Sequence, residues 1–156
     1  MTRYEELLNT ASEEDITILE HYPFSSDRIK GLYCDGNVAL SANLNTDAER
    51  ICVLAEELGH HYTSSGNIID LNDVSNRKQE LQARSWAYRN LITLQQLIDA
   101  YKYGCRSLHD ISEYLDVTPA FLQEAIEHYR SKCGTYVTIG NYTICFEPHL
   151  AIMKMF

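Results

Sequence analysis

The sequence predicts an α+β domain, mostly helical, with a short β-hairpin beside one of its helices. Three observations lead there. Apolar residues recur at helical spacing, first as Ile51, Leu54, Ala55, Leu58 and Tyr62, then as Ala83, Ala87, Leu91, Leu94 and Ile98. Asp35-Gly36 and Gly140-Asn141 each separate short apolar runs, and both pairs tolerate the positive φ of a tight turn. The chain has 156 residues, 45% apolar and 22% charged, so it can bury a core without disulfides.

Each element has its own warrant. Leu7, Leu8 and Ala11, then Ile16, Ile18 and Leu19, predict a short helix, a break and a short extended segment. Ile29–Leu40 reads as a hairpin turning at Asp35-Gly36. Thr46 with Glu49 three residues on is a capping-box pattern, and opens a helix that stops near Ser64-Ser65-Gly66. A loop over Gly66–Asn76 leads to a long helix from about Arg77 to Tyr103, ended by Gly104. Ser107–Asp116 and Thr118–Lys132 are two further helices, the second with Thr118 as N-cap, Pro119 at its first position and Gly134 past its end. Tyr136–Ile139 and Tyr142–Phe146 form a final hairpin. The expected organisation is a core over 1–104, with its helices at about 47–63 and 77–103, followed by 105–156 as a helix pair and hairpin packed on it.

Charge narrows the partners. Thirteen Lys and Arg against 22 Asp and Glu leave a net charge of −9, which disfavours nonspecific contact with phosphates. No apolar run approaches the ~20 residues of a membrane helix, and Met1–Asp15 lacks a basic-then-apolar leader pattern. The five cysteines are widely spaced, with no Cys-x-x-Cys. A reduced, cytoplasmic protein with packed thiols and no membrane contact is therefore expected.

The chemistry concentrates in Leu54-Ala55-Glu56-Glu57-Leu58-Gly59-His60-His61. Glu56 and His60 are four apart, so a helix stacks them on one face as two ligands for one metal ion, the spacing of His-Glu-x-x-His zinc proteases. Glu57 then stands where a carboxylate can act as a base on water. Were Glu57 and His61 the ligand pair, Leu58 would stand in the base position and could not act. A solvated helix face would carry the same pattern. Gly59 is the exception, since glycine inside a helix costs ~1 kcal/mol and points to close approach by another backbone. Glu80 falls on the apolar stripe of the next long helix. A carboxylate there needs a partner, either a metal as third ligand or an arginine.

Three segments carry a resemblance. They are Gly31-Leu32-Tyr33-Cys34-Asp35-Gly36-Asn37-Val38-Ala39-Leu40, Ala55-Glu56-Glu57-Leu58-Gly59-His60-His61 and Lys78-Gln79-Glu80-Leu81-Gln82-Ala83-Arg84-Ser85-Trp86-Ala87. Together with Ile111-Ser112-Glu113-Tyr114-Leu115-Asp116-Val117-Thr118 and on through Tyr129, the chain resembles the ImmA/IrrE family of phage- and mobile-element-associated metallo-endopeptidases. The resemblance implies a zincin-like, gluzincin-type core with a small sheet beside the active helix. By position it implies Glu56, His60 and Glu80 as metal ligands and Glu57 as the catalytic carboxylate. It further implies that a phage-type helix-turn-helix repressor encoded nearby is cleaved or inactivated. The family pattern has His where this chain has Glu56. Two carboxylates and one imidazole make a harder, more anionic site for zinc, and shift preference towards manganese or iron.

The expected function is thus metal-dependent cleavage of a repressor. The alternative, motivated by Glu56, is a degenerate peptidase fold that sequesters the repressor by contact. The helix pair at 107–132 invites a helix-turn-helix reading. Glu124 and Glu127 in its second helix would repel phosphates, so a structural or partner-docking role is expected there. His61 reads as a packed or surface residue, Trp86 as core, and His21, His109, His128 and His149 as surface.

Overall fold

A computed structural model describes residues 1–63 and 73–155, with side chains described from 76 onward in the second stretch. The chain forms two compact units, Met1–Ala87 and Tyr88–Phe156. Its helices and small three-stranded sheets make the expected α+β class, and no described helix is long and apolar enough to cross a membrane.

In the first unit, α1 (Arg3–Glu13) starts at a full capping box between Thr2 and Glu5. β1 (Thr17–Tyr22), β2 (Gly31–Cys34) and β3 (Asn37–Ser41) form a sheet in the order β1-β3-β2. β1 runs parallel to β3 from Thr17↔Asn37, and β2 pairs antiparallel with β3 through the Asp35-Gly36 turn, where both residues have positive φ. β2 is therefore an edge strand. β3 is central and buried, with Val38 and Leu40 almost fully covered.

α2 (Asp47–Thr63) lies on this sheet through Ile51, Leu54, Ala55 and Leu58, all buried. Thr46 caps it by accepting the Glu49 N–H at 3.1 Å, while the Glu49 carboxylate accepts the Asn45 N–H at 3.4 Å. The box is thus half made, one residue displaced. Tyr62, placed by spacing on the apolar stripe, is instead exposed and stacked on Trp86 at 5.0 Å. α3 (Asp73–Leu91) starts four residues before the expected Arg77. The rest of the expected Gly66–Asn76 loop, up to residue 72, lies outside the described residues.

The single helix expected over 77–103 is two helices, α3 and α4 (Leu94–Tyr103). Thr93 breaks it. Its hydroxyl accepts the Gln96 N–H at 3.1 Å, and the Gln96 side chain accepts the Thr93 N–H at 2.8 Å. The reciprocal cap satisfies donors that a continuous helix would have used otherwise, and the Ile92 carbonyl takes the Tyr129 hydroxyl at 2.6 Å.

In the second unit α4 packs on α5 (Leu108–Leu115), and α5 on α6 (Pro119–Cys133), around Leu97, Ile98, Ile111, Leu122 and Ile126. Thr118 caps α6 and Pro119 opens it, as the sequence predicts. Gly104, the expected domain boundary, is the C-cap of α4 inside this unit. β4 (Tyr136–Ile139), β5 (Tyr142–Cys145) and an unexpected β6 (Ala151–Lys154) form an antiparallel sheet in that order. β6 is four residues long with no apolar alternation to announce it. No disulfide forms among the five cysteines; Cys52 and Cys105 are buried, but Cys34 and Cys133 are exposed rather than packed.

Candidate active site

The last three turns of α2 carry four polar side chains on two flanks, and each flank meets a different element. Glu57 and His61, one turn apart, face β2. A Cβ added at Gly31 would lie 2.6 Å from Val53 Cγ1 and 3.1 Å from Glu57 Cγ, so glycine lets the strand run against the helix there. Two residues along the strand, the Tyr33 hydroxyl lies 2.7 Å from His61 Nδ1 and accepts the Gly36 N–H at 3.1 Å. The two-residue repeat of the strand thus matches the four-residue repeat of the helix.

Glu56 and His60 face α3, which runs antiparallel to α2. Gly59 sits where the two backbones meet. An added Cβ would collide with the Ala83 carbonyl oxygen and stand 2.9 Å from the Ala83 Cα. The sequence expectation of a close backbone approach at Gly59 is met by Ala83, itself fully buried. This crossing sets the register. Next to Gly59, His60 Nε2 lies 3.1 Å from Glu80 Oε1, one turn before Ala83; next to Ala83, Arg84 Nε lies 4.0 Å from Glu56 Oε1, one turn before Gly59.

Glu57, on the β2 flank, is half-buried. Burial pushes its carboxyl up to about 7, with the negative charges of Glu80 and then Glu56 adding to the shift. A carboxyl in that range holds or releases a proton near neutral pH, which a solvated glutamate does not.

Of the sequence-predicted residues, Glu57, His60 and Glu80 are brought together, and Glu56 is turned towards Arg84. Glu80 is not on a buried stripe as its spacing predicts. Its side chain is 51% exposed, one turn ahead of the buried Ala83 and Ala87, and its partner is the His60 imidazole. Arg84 is unassigned in the sequence reading; its one signal there is its place four residues after Glu80, and its reach to Glu56 depends on the α2/α3 register. Tyr33 carried no such signal. Trp86 is half-buried against Tyr62 rather than in the core; His21, His109 and His149 are exposed, and His128 is half-buried.

The donor types suit a divalent cation, and their distances test the arrangement. Bonds of about 2.0–2.2 Å put two donors on one zinc ion roughly 3.3 Å apart. His60 and Glu80 meet that separation. Glu56 Oε1 lies 4.0 Å from the Arg84 guanidinium. Among the described residues, no group of three or more His, Cys, Asp or Glu side chains is placed to hold a metal ion. The three-ligand set of Glu56, His60 and Glu80 is therefore not assembled in this arrangement.

The family model for the IrrE N-terminal-like domain, Peptidase_M78, matches residues 11–127. No curated protein and no solved structure matches the chain. The match spans α2 and α3, where the helix crossing, the His60–Glu80 pair and the near-neutral Glu57 carboxyl have just been described. The chain thus belongs to the Peptidase_M78 family, the IrrE N-terminal-like domains, and has a metallopeptidase-type fold.

Proposed function

We propose that the chain is a metal-dependent endopeptidase that acts on a phage-type helix-turn-helix repressor. One observation carries the reading: the half-buried Glu57 carboxyl, pushed up to about 7, lies beside the His60–Glu80 pair in a protein of the M78 peptidase family. Such a group can take a proton from an attacking water and return it to the leaving amine at neutral pH. The free edge of β2 offers backbone hydrogen bonds to an extended substrate segment, with Leu32 exposed on that strand and Gly31 directly over Glu57. Zinc is the metal proposed, or manganese or iron given the two carboxylates, with Glu56, His60 and Glu80 as its ligands.

A second reading is favoured by one contact. Arg84 beside Glu56 gives the proposed first ligand a protein cation, which supports a degenerate peptidase fold that would bind the repressor without cleaving it. Incubating the repressor encoded nearby with wild type and with Glu57→Gln separates the two. Wild type should release two fragments on a gel, and Glu57→Gln should slow their appearance at least about 100-fold while still binding. Repressor that is bound by both and cut by neither leaves only the sequestering function.

A further inference from the structure

The helix crossing that joins His60 to Glu80 also delivers a cation to Glu56, and that cation belongs to the chain. Gly59 against Ala83 leaves no freedom in the register of α2 on α3. Glu80 and Arg84 are one turn apart on α3, as His60 and Glu56 are on α2, so the two helices pair residue against residue. The site therefore places a guanidinium beside the carboxylate proposed as the first ligand. The Arg84 side chain is 49% exposed and Glu56 is 32% exposed, so their contact is solvated and weak. The guanidinium can leave Glu56 by rotating its own side chain into water, with no movement of either helix.

We propose that Arg84 governs the metal affinity of this site, acting as a built-in counter-ion that competes with a divalent cation for Glu56. The proposal rests on the reading of Glu56, His60 and Glu80 as ligands. Its physical content is charge. A positive side chain beside a ligand carboxylate repels a divalent ion there, and for a solvated pair the effect on affinity is a few-fold, on the order of 0.5–1 kcal/mol. The apo protein gains a neutralised carboxylate, and the metal-bound protein must give up that pairing.

The test is a titration of untagged full-length protein with zinc and with manganese, read by competition with a chromophoric chelator at one fixed pH. Arg84→Met and Arg84→Gln should each bind one equivalent about two- to fivefold more tightly than wild type. Arg84→Lys, which keeps the charge, should stay near wild type. Adding Glu56→Gln to Arg84→Met should abolish the gain. Equal affinity in wild type and both neutral variants would overturn the role of Arg84 while leaving the ligand set standing. No uptake by any form would overturn the ligand set and the proposal together. A gain that survives Glu56→Gln would place the competition elsewhere and overturn the proposal. Repressor cleavage is not read, so the outcome is independent of whether the chain is an active peptidase.

Discussion

The half-buried carboxyl of Glu57 comes at a cost to the fold. Burial and the charges of Glu80 and Glu56 raise its carboxyl from an ordinary 4.5 to about 7. The folded chain then holds this proton where the unfolded chain has released it. Stability is fully present below about pH 4.5 and is lost as pH rises through about 7, on the order of 3 kcal/mol for this one group. In metal-free protein, Glu57→Gln should remove that slope and raise the denaturation midpoint at pH 8 above wild type. A variant with the wild-type pH profile would remove the carboxyl from the cause. The helix-face placement of Glu57 and the backbone approach at Gly59 were legible in the sequence, because both follow from local helical geometry and the cost of an interior glycine. The Glu56–Arg84 contact and the Tyr33–His61 contact were not. Each depends on which turn of one element faces which residue of another.

At the scale of elements, the α2/α3 crossing is the joint that places the site. Alanine at position 59 would add about 1 kcal/mol of helix propensity. It would also drive a methyl group into the Ala83 backbone, an overpacking that costs about 1–3 kcal/mol, or more where backbone must move. Gly59→Ala should therefore lower the melting temperature by several degrees and separate His60 from Glu80; a melting temperature equal to or above wild type would show that the crossing yields freely. α2, α5 and α6 were legible from apolar spacing and caps, and the two hairpins from their turn pairs. The break between α3 and α4 was written as Thr93-x-x-Gln96, yet the apolar spacing runs through it unbroken, and the cap prevails over the spacing. β6 was hidden because four residues with no alternation become a strand only when β5 supplies the partner.

At the scale of the molecule, charge is unevenly shared. The Met1–Ala87 unit has seven Lys and Arg against fifteen Asp and Glu, whereas Tyr88–Phe156 has six against seven. Nearly all of the net −9 thus lies in the unit that contains Glu57, His60 and β2. If the proposed partner is a DNA-binding repressor, its basic surface would be drawn towards an acidic unit over distance. Association with the repressor should slow by roughly tenfold between 50 and 500 mM salt, with dissociation changing less. A salt-independent association rate would shift the weight of recognition to the apolar side chains along β2.

The open sheet edge has one more consequence. A strand that can accept a foreign segment by backbone pairing can accept any segment, including the chain's own, and among the described residues β1 is a second edge on the other side of β3. Joining one edge to the other would extend a ribbon of copies without closure. The strands limit this by brevity, four residues in β2, and by the irregular register of β1 between Leu19 and Tyr22. The surplus of negative charge does the rest, since like-charged copies repel while a basic partner does not. The same acidity that would attract the proposed basic partner thus disfavours edge-to-edge pairing between copies.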